Sequence, residues 1–178
     1  MNAANAPTCI LVLGMHRAGT SAFTRLLSLH GVELGQELLD PAADNPKGFW
    51  EPRKVVLLHE QLLAALQRTW TDPRPLPEGW LQSAAAEDAR EQIREVIADF
   101  GATPLFAIKD PRLCLFTALW LPLLEQAGIR ARAVHLVRGP AQVAASAAWS
   151  PPACARAATN CNRTSRPCCR RACPGSTW

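Results

Sequence analysis

Cys9-Ile10-Leu11-Val12-Leu13-Gly14-Met15-His16-Arg17-Ala18-Gly19-Thr20-Ser21 decides how this chain is read. Its first five residues are apolar, include β-branched members and stop at Gly14, the pattern of a strand buried on both faces of a parallel sheet. Over residues 20–30 apolar side chains return at helical spacing (Phe23, Leu26, Leu27), and Gly31 is a stop signal. Two glycines therefore bracket a turn between a strand and a helix. Such a turn can curl so that successive N–H groups face an anion at the positive end of the helix. Gly14, Arg17, Ala18, Gly19, Thr20 and Ser21 are the candidate anion-binding residues, with the two hydroxyls as extra donors. The plainer alternative is a strand–turn–helix corner with no ligand.

Outward from this corner the chain alternates. Residues 36–52 hold Pro41, Pro46, Gly48 and Pro52 and read as a long loop, a length usually kept for function. Val55, Leu58, Leu62 and Leu66 mark a second helix, residues 71–80 a second loop, and Ile93, Val96, Ile97 and Phe100 a third helix ended by Gly101. Residues 104–108 read as a strand, 113–127 as a helix ended by Gly128, and 131–137 as a strand. Pro140 then stands at the first position of a further helix. Strands separated by helices imply an α/β fold, a parallel sheet with helices on both faces. Cys9 and Cys114 sit in apolar contexts and read as small core residues.

Composition divides the chain in two. Nearly half of its 178 residues are hydrophobic, and residues 1–150 can bury a core. They carry 14 Lys and Arg against 15 Asp and Glu, a net of −1, while residues 151–178 carry five Arg and no acid. The basic balance belongs to the tail, so it points to no nucleic-acid partner. That tail lacks Leu, Ile, Val, Phe and Met, crowds five Cys, and cannot offset the entropy of ordering. It begins abruptly at Ser150-Pro151-Pro152. The expectation is a domain over 1–150 and an irregular, disordered tail over 151–178, produced by a reading-frame shift near codon 150; a genuine disordered tail is the alternative. The cysteine spacing supports no zinc module, and no metal site is expected. No apolar run is long enough for a secretory signal or a membrane span, so a cytoplasmic protein is expected. Oligomeric state is not legible.

The stretch 14–21 has the spacing of a P-loop, with Thr20 where nucleotide triphosphatases carry Lys. The cation sits three residues earlier, at Arg17. Arg17-Ala18-Gly19-Thr20-Ser21 resembles the 5′-phosphosulfate loop of sulfotransferases that use 3′-phosphoadenosine-5′-phosphosulfate (PAPS). A second element, His135-Leu136-Val137-Arg138-Gly139-Pro140-Ala141-Gln142-Val143-Ala144-Ala145-Ser146, resembles the family's 3′-phosphate motif through Arg138 and Ser146, with Gly139 where many members have Asn or Asp. Arg is a forked donor suited to phosphate oxygens. Ile108-Lys109-Asp110-Pro111-Arg112 resembles the Lys-x-Pro of carbohydrate sulfotransferases, and Asn45-Pro46-Lys47-Gly48-Phe49-Trp50-Glu51 the segment that supplies their Glu base.

The resemblance spans roughly residues 8–149 and implies the N-terminal, P-loop-type part of a sulfotransferase fold. It implies sulfuryl transfer from PAPS, without a metal, to a hydroxyl (or amine) on a glycan, lipid or small molecule. Activity of a chain lacking the family's C-terminal half is in doubt. Arg17, Lys109, Glu51 and His16 are the catalytic candidates: two cations for developing charge, Glu51 as base, and His16 next in rank with His59 as a further rival. Asp110 before Pro111 reads as a cap for the next helix, Lys109 alternatively as a solvated Lys, and Glu51 as a helix-start residue. Two rival functions stand: a P-loop small-molecule kinase, against which Thr20 argues, and a non-catalytic nucleotide-binding fragment.

Overall fold

A computed structural model describes residues 6–42 and 45–148. The tail 151–178 lies outside the described residues. Strand β1 (Thr8–Leu13) leads through the loop 14–19 into helix α1 (Thr20–Leu29). Then come α2 (Arg53–Ala65), a single 3-10 turn (Trp80–Gln82), α3 (Ala84–Asp99), β2 (Leu105–Lys109), α4 (Leu113–Gln126), β3 (Arg130–His135) and α5 (Pro140–Ala148). The three strands form one parallel sheet in the order β2-β1-β3. Val12 lies opposite Lys109 on one side and Val134 on the other, so all three strands finish at the same edge. The expected α/β class with a helix-covered parallel sheet is what forms.

Strand alternation builds two cores. Cys9, Leu11, Phe106 and Ile108 point to one face and pack with α2, α3 and α4 through Leu58, Ile93, Phe116 and Trp120. Val12 and Ala107 point to the other face, where Phe23 and Leu27 of α1 cover them together with Val32 and Leu34. Full burial of each such large apolar side chain contributes about 1.5–3 kcal/mol relative to exposure. Phe100, at the end of α3, stacks on Phe106 with ring centroids 4.2 Å apart.

Helix ends follow local chemistry. Ser83 accepts from the Ala86 N–H at 3.1 Å and Glu87 occupies the first turn of α3, both favourable at a positive helix end. Pro140 is the first residue of α5, as its fixed φ favours. Two local expectations are corrected. Cys114 is exposed rather than a core residue, because α4 turns that flank toward the 14–19 loop. Asp110 is not the N-cap of α4, a position taken by Arg112; it accepts from the Arg112 N–H at 3.0 Å and turns its other oxygen into the core.

The two outer edges of the sheet differ. Glu33 runs beside β2, its N–H donating to Leu105 and its C=O accepting from Ala107 at 2.8 Å. Among the described residues no strand pairs with the outer edge of β3, and Arg130, Arg132, Ala133 and His135 are exposed.

Candidate functional site

Because the strands are parallel, the loops after them gather at one edge. The chain leaves β1 toward β2 on one side and returns past β1 to β3 on the other, and open α/β sheets hold ligands at the carboxyl ends of their strands. A cavity of about 450 Å³ lies there, lined by residues at or just past the carboxyl ends of all three strands, among them Arg17, Lys109 and Arg138.

The loop 14–19 needs its first glycine for space. At φ 150° a Cβ on Gly14 would stand 2.8 Å from the Leu136 carbonyl oxygen and 2.9 Å from Thr20 Cγ2. Its N–H donates to the Sγ of Cys114 at 3.2 Å, a tether between loop and α4 that sequence reading had no means to find. Gly19 needs conformation instead: it precedes α1 at φ 95° with no atom near its would-be Cβ. The first bond of α1 is Phe23 N–H to Gly19 C=O at 3.1 Å, so the Thr20, Ser21 and Ala22 amides lie in the helix's unpaired first turn. Arg17 has φ 67°, a left-handed conformation that costs a non-glycine residue about 1–3 kcal/mol and persists only when its surroundings hold it.

Those surroundings are the second motif. Arg17 Nε donates to Ser146 Oγ at 3.2 Å and its Nη2 to the Ser146 carbonyl at 3.0 Å. Arg138 Nη1 donates to the Arg17 carbonyl at 3.0 Å. All the candidate anion ligands except Gly14 and Ala18 line the cavity.

Lys109 and Glu51 form the floor. Lys109 is 2% exposed and Glu51 5%. Their side chains are ion-paired, and Lys109 Nζ also donates to Ser21 Oγ and the Phe49 carbonyl, each at 3.2 Å. The solvated alternative for Lys109 is thus overturned by β2, which ends at this residue inside the fold. Burial pushes the Glu51 carboxyl above its ordinary range and the Lys109 ammonium below its own, each against the pull of the other's charge. Segment 45–51 is bound to the same floor: Asn45 Nδ2 donates to the Gly48 carbonyl at 2.7 Å and to Ser21 Oγ at 3.4 Å. Asn45 is a site residue to which sequence reading assigned no role; only its place in a loop rich in turn residues hinted at one.

His16 and His59 separate. His16 is half-buried at the cavity, its ring 4.4 Å from that of Trp70. Burial, with the nearby Arg112 guanidinium, pushes it down to about 4. It is neutral near pH 7 and a poor match for a base there, whereas Glu51 is moved toward the useful range. His59 is removed as a rival base. It is fully buried, its Nε2 accepts from the Trp120 indole at 3.0 Å, and its Nδ1–H donates to Asp110 Oδ2 at 2.7 Å. An indole only donates, so both ring nitrogens are committed. Asp110 Oδ1 also accepts from Arg112 Nη1 at 2.8 Å, and Arg112 pairs with Glu60. Burial alone would raise the Asp110 carboxyl; the His59 and Arg112 contacts outweigh it and hold it low. This network ties α2 to the turn after β2 and so sets the direction of Lys109.

The cavity carries Arg17, Arg25, Lys47, Lys109 and Arg138 against a single acid, Glu51, although residues 1–150 are net negative overall. Its chemistry suits a ligand with more than one anionic group. A second cavity of similar size lies beside Glu33, Glu37, Asp99 and Phe100, but its one cation, Lys54, is paired with Asp99 at 2.6 Å. Among the described residues no cluster of His, Cys, Asp or Glu is placed to hold a metal ion, and no helix is long and apolar enough to cross a membrane. Comparison with protein-family models, with curated proteins and with solved structures finds no match to this chain, so its functional reading rests on the cleft itself.

Proposed function

We propose that this cleft binds a nucleotide carrying a 5′-phosphosulfate and a 3′-phosphate, namely PAPS, and directs its sulfuryl group to a hydroxyl (or amine) acceptor. The observation that carries the reading is the contact of Arg17 with Ser146 and Arg138. It joins two motifs 129 residues apart, each of which resembles a phosphate-binding element of the same enzyme family.

In this reading the amides of the first turn of α1, with Thr20, Ser21 and Arg17, hold the 5′-phosphosulfate, and Arg138 and Ser146 hold the 3′-phosphate. The bond between sulfur and the bridging phosphate oxygen breaks as one forms between sulfur and the acceptor oxygen. The leaving phosphate gains charge, which Arg17 and Lys109 offset. Glu51 takes the acceptor's proton; its low exposure and raised proton affinity favour that role. Lys109 holds Glu51 beside Ser21, so one ammonium links the donor side of the cleft to the base.

Calorimetric titration of the full chain provides the test. Adenosine 3′,5′-bisphosphate is expected to bind at least about tenfold more tightly than AMP, a difference of about 1.4 kcal/mol. Arg138→Ala should remove that preference and leave AMP binding in place. Equal affinity for the two nucleotides in the unaltered chain would overturn the reading.

A further inference from the structure

We propose that the acceptor is itself an anion, a hydroxyl compound whose carboxylate or phosphate is held by Arg25 and Lys47. The inference deepens the donor reading and rests on it in one respect, that the 5′- and 3′-anions of the donor occupy the Arg17, Arg138 and Ser146 side of the cleft.

Arg25 stands on α1 four residues after Ser21, one turn on and about 6 Å farther along the helix axis. Ser21 is the residue whose hydroxyl accepts from Lys109, beside Glu51. Arg25 therefore lies one helical turn past the reacting floor, and Lys47 lines the same cavity. Both line the cavity and both are exposed. Among the described residues neither has a carboxylate partner, whereas Arg53, Lys54, Arg74, Arg90, Arg94 and Arg112 all have one.

The neighbouring aromatic ring narrows the chemistry. The Arg25 guanidinium lies 4.5 Å from the centroid of Trp50, and the Trp50 indole donates to the Lys47 carbonyl at 3.1 Å. Trp50 thus carries the Arg25 guanidinium on its ring and holds the backbone of Lys47, with its own φ of 60° in the tethered loop. Because Arg25 already covers a face of Trp50, the ring supports a cation rather than offering that face as a stacking platform for a sugar. Recognition on this side is by charge. With a single turn of α1 between Ser21 and Arg25 and both lining one cavity, a monosaccharide that carries both a hydroxyl and an anionic group is the compound to try first.

Three probes decide it: phenyl β-D-glucoside, phenyl β-D-glucuronide and phenyl β-D-glucoside 6-phosphate. Each is titrated by ligand-observed NMR at low ionic strength into the full chain saturated with adenosine 3′,5′-bisphosphate. One of the anionic probes is expected to bind about tenfold more tightly than the neutral one, as two exposed charge contacts allow, and which one it is separates carboxylate from phosphate. The advantage should vanish in the Arg25→Gln/Lys47→Gln variant while its affinity for the bisphosphate stays unchanged. Equal affinity for all three, binding of none, or an advantage that survives the double substitution would overturn the proposal. Should the bisphosphate itself fail to bind, the donor reading falls, and the same comparison without nucleotide still decides the anionic subsite.

Discussion

At 2% and 5% exposure, Lys109 and Glu51 form a buried ion pair in the cleft, and each partner determines what the other costs. Removing one leaves the other buried without its counter-charge, a loss of about 3–5 kcal/mol. Glu51→Gln is expected to destabilise by that amount in urea titrations near pH 7, because the buried ammonium loses its carboxylate hydrogen-bond partner and keeps only the more distant charge of Asp110. Lys109→Met should behave differently, because burial raises the Glu51 carboxyl and the Lys109 charge that opposes this is gone. In that variant the folded chain keeps a proton that the unfolded chain releases above about 4.5, its ordinary value. The folded state then binds more protons, so stability falls as pH rises. Urea titrations at pH 5 and pH 8 should show Lys109→Met markedly less stable at the higher pH. Equal stability at the two values would mean that Glu51 does not take up the proton.

Among the elements, the loop between β1 and α1 is the most constrained. Its two glycines do different work, and substitution should tell them apart. Gly14→Ala brings a methyl within 2.9 Å of a carbonyl oxygen and a threonine methyl, neither at the far end of a flexible side chain. A loss of about 1–3 kcal/mol is expected, the range for an overpacked site. Gly19→Asn meets no atom and asks only for a left-handed residue, which Asn tolerates better than most. Thermal melts should place Gly14→Ala below Gly19→Asn; the reverse order would show that backbone conformation, not space, limits this loop.

For the molecule as a whole, the unequal edges of the sheet matter most. β1 is bonded on both sides and β2 is covered by Glu33. β3 offers its outer hydrogen-bonding groups with no described strand beside it, and Val137 just past it is 80% exposed. An open edge of this kind templates pairing with another chain. Sedimentation velocity should show self-association that grows with concentration, and Ala133→Lys, at an exposed edge position, should reduce it. In the same samples the amides of β1 should exchange with solvent most slowly and those of β3 fastest among the strands. A chain that stays monomeric across the concentration range would show that this edge is protected.

Much of the architecture is written locally. Five apolar residues before Gly14, helical spacing in Phe23 and Leu27, and Pro140 ahead of a helical stretch depend on near neighbours and on period, so the elements and their α/β order follow from sequence alone. The same holds for the composition of the anion loop, since Gly14 and Gly19 answer local demands of space and backbone angle. Pairings across the fold are not local. Nothing near His59 announces that Asp110, 51 residues away, and Trp120 will occupy both its ring nitrogens, so it resembled a candidate base until helix packing buried it. Nothing near Cys114 shows that its apolar neighbours leave it on the flank of α4 that meets Gly14. Lys109 reads as a catalytic candidate with a solvated Lys as the alternative, and only the burial of the end of β2 against segment 45–51 decides for an ion pair. The contacts that make the cleft come from chain segments that meet only when three parallel strands end at one edge. Side-chain chemistry named the participants, and the topology of the sheet decided which of them touch.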